Sequence, residues 1–280
     1  MHAASPVGKR TPKRRARVIR ALTRIVAAGL GVAAATYAGS AAFTWYRYGT
    51  PKPGAPDEAD PLLDRFMATC EVVERHNVRV RAPAQITLTA AYEQNLLGSP
   101  LIRAIFRARE LALGSTPDER ARPRALLPQM LSLGWGILAE VPGHEIVMGA
   151  VTRPWEPNPR FRALAPEHFA AFDEPDYVKI VWSLRADAIG AQESIFRTET
   201  RAVATDDLAR LTFRRYWALV SPGIALIRRA SLGPLKADAE RRARISPPPA
   251  TAAGAAAAFQ PVPAPATPPS ALSPPVAAPR

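Results

Sequence analysis

Residues 70–84 read CEVVERHNVRVRAPA, and the alternation in this stretch decides the fold class. Val72, Glu74, His76, Val78 and Val80 fall on one side of an extended chain, and Val73, Arg75, Asn77, Arg79 and Arg81 fall on the other. A period of two with one polar face is a half-buried strand. Pro83 ends it, and the residues that follow read as a helix over 84–95. Ser99-Pro100 is then an N-cap with proline at the first helical position, opening a second helix that runs to Gly114. This helix is expected to turn Leu101, Ile102, Ile105, Phe106 and Leu111 toward a core.

Further along, a polar loop with three prolines spans 115–128. Strands are expected at 133–141 and 145–152, separated by the turn Pro142-Gly143-His144. Residues 177–186 alternate again, with Val178, Ile180, Trp182 and Leu184 inward, and residues 192–203 form a matching strand. Asp206 caps a long amphipathic helix carrying Leu208, Leu211, Phe213, Tyr216, Trp217, Val220, Ile224 and Ile227, with Pro222-Gly223 near its middle. One strand, two helices, a run of antiparallel strands and a closing helix make an α+β chain. The long helix is the element available to cover the apolar face of the sheet.

The N-terminus has a different character. From Ile25 to Tyr46 there are 22 residues without a charge, preceded by eight Lys/Arg and no acid. That length crosses a hydrocarbon core of about 30 Å as a helix, and the basic flank holds the N-terminus in the cytoplasm. Two other readings stand beside the anchor. One is a cleaved signal peptide, with small residues at Ala38-Gly39-Ser40 and Ser40-Ala41-Ala42; the other is an Ala/Gly-rich core helix. The expected organisation is a basic arm (1–24), a transmembrane helix (25–48), a proline-rich linker (49–65), a domain (66–245) and a disordered Pro/Ala tail (246–280).

Composition narrows the function. Of the net charge of +13, +10 belongs to the first 52 residues, which hold ten basic and no acidic side chains, so the excess points to anionic headgroups rather than nucleic acid. A single cysteine, Cys70, excludes an internal disulfide, and four scattered histidines imply no metal cluster and no cofactor. The expected partners are therefore the membrane and an apolar, lipid-like small molecule, with no nucleic acid.

In its order of elements the chain resembles the SRPBCC superfamily of helix-grip domains, which includes START domains, Bet v 1-like proteins and polyketide cyclase/dehydratase-like proteins. The resemblance covers about residues 66–244. It rests on Val78-Arg79-Val80-Arg81-Ala82-Pro83-Ala84, typical of bacterial members, and on two strands feeding the aromatic-rich helix at Arg214-Arg215-Tyr216-Trp217. It implies a curved antiparallel sheet wrapped around the C-terminal helix, with a hydrophobic cavity between them. The basic flank and apolar stretch, by which the chain departs from the commoner cytosolic members, place the domain outside the cytoplasm, tethered to a bacterial inner membrane or exported after signal cleavage.

Glu74 and His76 share the face expected to line that cavity, where a carboxylate beside an imidazole is suited to proton transfer. Trp135, Trp182, Tyr216 and Trp217 are expected to point inward as a wall with polar handles. Phe196, Thr198 and Thr200 lie on one strand face and complete the candidate ligand-binding set. Three functions follow. The leading one is a membrane-tethered binding protein for a hydrophobic or amphipathic molecule. The others are a cyclase/dehydratase-like enzyme using Glu74 and His76, and an interaction module without a ligand.

Overall fold

A computed structural model describes residues 12–116 and 123–245. The expected Pro/Ala tail, the start of the basic arm and the middle of the 115–128 loop lie outside the described residues. The order is α1 (Pro12–Arg47), α2 (Pro61–Met67), β1 (Val72–Val80), α3 (Ala84–Glu93), α4 (Pro100–Leu113), α5 (Leu126–Ser132), β2 (Gly136–Val141), β3 (Glu145–Thr152), α6 (Pro166–Phe169), β4 (Val178–Gly190), β5 (Glu193–Ala204) and α7 (Asp207–Ile245).

All strands belong to one antiparallel sheet in the order β1-β5-β4-β3-β2. Alternation gives it two faces. Val80, Ile146, Met148, Ala150, Trp182, Leu184 and Phe196 pack against α3, α5 and α7. Val147 and Val181 on the opposite face pack on Leu63, Phe66 and Met67 of α2 and Phe169 of α6. The long helix is therefore gripped on one side of a curved sheet, the helix-grip α+β arrangement expected from the order of elements.

Asp206 caps α7 as its position suggested: its side chain accepts from the Leu208 and Ala209 N–H groups at 2.8 and 2.9 Å. Ser99 caps α4, and Gly114 ends it in a left-handed conformation. Three short helices were not anticipated: α2, α5 and the four-residue α6. In α2, Asp60 accepts from Leu63 N–H at 2.8 Å and Pro61 takes the first helical position, so a helix forms within the stretch read as a linker. Helix α5 takes the end of the 115–128 loop and delays β2 to Gly136.

Helix α4 also departs from its expected packing. Ile102 is buried and Ile105 meets α7 at Gly223, but Leu101, Phe106 and Leu111 are 45%, 40% and 70% exposed. The helix has three faces rather than two. Ile102, Ile105 and Arg109 meet the body, Arg103, Arg107 and Glu110 are polar, and Leu101, Ala104, Ala108 and Leu111 form an outward apolar stripe.

Helix α1 docks on the body through its C-terminal turns. Tyr48 donates to Glu71 at 2.5 Å, Arg214 lies over the Trp45 ring, Ser221 bonds Thr44, and the Tyr37 hydroxyl donates to the Leu219 carbonyl. Pro222, one turn along, cannot supply an N–H to the Ala218 carbonyl of the helical ladder. Helices α1 and α4 therefore flank α7, leaving Leu208, Leu211, Arg215, Leu219 and Leu226 on its face away from the sheet.

Candidate functional site

The β1–β5 register sets Glu74 opposite Thr200 and His76 opposite Thr198 on the face that meets α7. The β4–β5 register adds Trp182 opposite Thr200 and Leu184 opposite Thr198. Two adjacent rows result, Glu74–Thr200–Trp182 and His76–Thr198–Leu184. The candidate pair is close: His76 Nε2 lies 3.4 Å from Glu74 Oε2 and has no hydrogen-bond partner among the described residues. Trp182 Nε1 donates to Thr198 Oγ1 at 2.6 Å, which fixes the indole against the sheet.

The residue missing from the sequence-derived set is Arg228 of α7. Its guanidinium donates to Thr200 Oγ1 at 3.0 Å, and its Cζ sits 3.9 Å from the Trp182 ring centroid. Burial pushes its pKa down to about 10, with Glu74 acting in the opposite sense, so it stays cationic at neutral pH. A signal for it existed in the sequence. Positions 217, 221, 224, 228, 231 and 235 form the inward stripe of α7, and an arginine there stands where helical periodicity calls for an apolar side chain.

Beside this cluster lies a cavity walled by Ala91, Leu126, Leu184, Phe196, Ile227 and Leu235, with Gln94, Thr198, Arg228 and Ser231 supplying polar atoms. About 20 Å³ of it is free, room for a water molecule or two. Gln94 Nε2 donates to the Ser231 carbonyl at 2.7 Å and joins α3 to α7 beside it.

The candidate residues thus fall into three groups. Trp182, Phe196 and Thr198 line the cavity, while Glu74, His76 and Thr200 lie outside its lining, in the strand rows through Trp182 and Thr198. Trp135 is buried next to Trp182, with ring centroids 6.2 Å apart, and its Nε1 has no partner among the described residues. Tyr216 and Trp217 lie elsewhere. They pack with Phe213 and Val72 near the end of α1, and the Tyr216 hydroxyl meets Arg109 at 3.3 Å.

The opposite face of the sheet carries a closed ionic network. Glu199 takes Arg75 at 2.8 Å and Arg201 at 2.6 Å, Arg201 reaches Asp64 at 2.6 Å, and Arg197 pairs with Asp187 at 2.8 Å. Arg197, Glu199 and Arg201 form a charge ladder with Arg75 and Asp187 as partners on the neighbouring strands, while Lys179 turns to the Ala170 carbonyl.

No family model matches the chain, and no curated protein matches it. Solved structures do resemble it at low similarity. A hypothetical protein of Helicobacter pylori is 7% identical over 66% of this chain and 98% of its own, with a TM-score of 0.33. The Zhui aromatase/cyclase of a Streptomyces species is 17% identical over 65% and 98%, at 0.22. Norcoclaurine synthase of Thalictrum flavum, in complex with dopamine and hydroxybenzaldehyde, is 11% identical over 71% and 100%, at 0.25. Scores this low transfer no chemistry to this chain; its helix-grip character rests on its own strand order and on α7.

Proposed function

We propose that this chain is a membrane-tethered binding protein that holds a hydrophobic or amphipathic, lipid-like small molecule between its sheet and α7. The observation that carries the reading is the cavity itself, mostly apolar in its lining and with Gln94, Thr198, Arg228 and Ser231 as its few polar groups. That distribution is the composition of a small-molecule site, where polar groups fix orientation and apolar walls supply the driving force. Because little of the space is free, a ligand enters by parting α3 from α7 at the Gln94–Ser231 bond.

The tether in this reading is α1. Thr23–Arg47 has a mean hydropathy of 1.5 and none of it is buried in the body. Its 25 residues extend about 37 Å as a helix, enough for a bilayer core. The basic flank keeps the N-terminus cytoplasmic and sets the domain on the other side of a bacterial inner membrane. Holding the pocket beside the bilayer raises the effective concentration of a ligand that is scarce in water.

Mass spectrometry of small molecules extracted from the purified full-length chain tests this reading. A discrete apolar species should accompany the wild type and fall away in Thr198→Phe, which fills the cavity. An empty wild-type chain, or equal recovery from the folded variant, would overturn it.

One observation favours an enzymatic alternative, the Glu74–His76 contact with His76 Nε2 otherwise unpartnered. If the pair moves protons in a cyclase- or dehydratase-like reaction, Glu74→Gln and His76→Gln retain ligand and lose turnover.

A further inference from the structure

We propose that the ligand carries an anionic head and that Arg228 is the group that receives it. The inference rests on the binding reading above and adds the charge of the ligand.

The arginines packed on the opposite face of the sheet are completed by carboxylates. Arg75, Arg185, Arg197 and Arg201 each have a carboxylate oxygen within 3.1 Å. Arg228 has none within 4.0 Å among the described residues; its single hydrogen bond goes to the neutral hydroxyl of Thr200. Glu74 influences it only through space and is itself engaged with His76. A guanidinium has five N–H donors in a planar fork. Here one is used, one face is covered by Trp182, and the side chain lines the cavity. A guanidinium beside an apolar cavity, with one donor committed to the protein and no carboxylate among the described residues in reach, is suited to completion by an anionic group.

The neighbours strengthen the same preference. Thr198 Oγ1 already accepts from Trp182, and Thr200 Oγ1 already accepts from Arg228. Each hydroxyl is left with its own O–H to donate. Apart from the Glu74 carboxylate beside His76, the groups around Arg228 offer donors of several kinds, a pattern that suits a carboxylate or a phosphate monoester better than an alcohol. The cavity walls, Leu126, Leu184, Phe196 and Leu235, are hydrocarbon. The ligand class that fits both ends is a single-headed anionic amphiphile.

The test uses the full-length chain in amphipol, with three water-soluble probes of one chain length: octanoate, octyl phosphate and 1-octanol. Binding is read by calorimetry. In the wild type, at least one of the two anions is expected to bind tenfold or more tightly than 1-octanol, and the better of them names the head. Arg228→Gln should erase that preference while still binding 1-octanol. Arg228→Lys, which keeps charge but loses the fork, should retain part of it, and the thermal transition of each variant reports folding. Equal affinity for all three probes in the wild type, or a preference that survives Arg228→Gln, would overturn the anionic assignment and leave the pocket standing. Failure of every probe to bind the wild type would overturn the pocket as well.

Discussion

Glu145 and Arg228 mark the two faces of the sheet with opposite electrostatic problems. Glu145 is buried beside the Asp60 carboxylate, and desolvation together with that neighbour raises its pKa to about 8. Asp60 is already committed, accepting from Leu63 N–H and from the Ser183 hydroxyl. Glu145 therefore holds its proton in the folded protein at neutral pH. In an unfolded chain it releases that proton near its ordinary value of 4.5. Between these values the native state binds the extra proton, so stability falls as pH rises through the window, and the loss is complete above about 8. Glu145→Gln keeps the neutral shape and should flatten this decline, which melting curves of the full-length chain at pH 5 and pH 9 would show. The same loss in both proteins would contradict the assignment. Reading Glu74 and His76 onto the α7 face needed only strand alternation, and the register bears that placement out. Arg228 was harder to see, because a lone arginine on a helix reads as solvated until the partner elements are known.

Elements were legible where their periodicity ran long. The strand alternations at 70–82, 177–186 and 192–203 became β1, β4 and β5, and the caps at Ser99 and Asp206 became the starts of α4 and α7. Helices α2 and α5 are seven residues each, two turns, and so carry too little pattern to outweigh the prolines around them. In α4 the composition gave two apolar faces, and only tertiary contact with α7 selects the one that is covered. Packing between elements also makes a sharp prediction at Gly149 of β3. A Cβ there would lie 2.5 Å from Leu138 Cδ1 and 2.8 Å from Phe169 Cε2, pressing β2 and α6 away from the sheet. Gly149→Ala should destabilise the body by about 1–3 kcal/mol, an overpacking cost. Denaturant titration would read it, and an unchanged midpoint would contradict the close packing of β2 and α6 over β3.

At the scale of the whole molecule, the contacts between α1 and α7 tie the proposed tether to the position of the body. Tyr37 and Thr44 meet α7 within the last turns of Thr23–Arg47, so a bilayer crossed by that span sets the outward faces of α7 and α4 against its outer leaflet. Leu101, Leu111, Leu211 and Leu219 are exposed there, with Arg103, Arg107 and Arg215 among them. Apolar side chains set among arginines suit an anionic lipid interface. The double variant Leu211→Asp, Leu219→Asp should release these helices from that surface and raise their hydrogen exchange in nanodiscs, without changing exchange in β4 and β5. Unaltered exchange in α4 and α7 would contradict interfacial contact. Orientation is checked separately by Gly54→Cys in a Cys70→Ser background. An impermeant maleimide should label it from the extracytoplasmic side of intact cells; labelling only after lysis would reverse the topology.

The most direct test of the central claim is to find where a ligand sits. The full-length chain in nanodiscs would be irradiated with a diazirine-bearing octanoate, and the modified peptides mapped by mass spectrometry. Adducts are expected in three separate segments that meet only around the cavity: residues 91–96, 196–198 and 227–235. They should be suppressed by excess octanoate and by Thr198→Phe. Adducts confined to α1 and the outward leucines of α4, unaffected by either, would contradict the account.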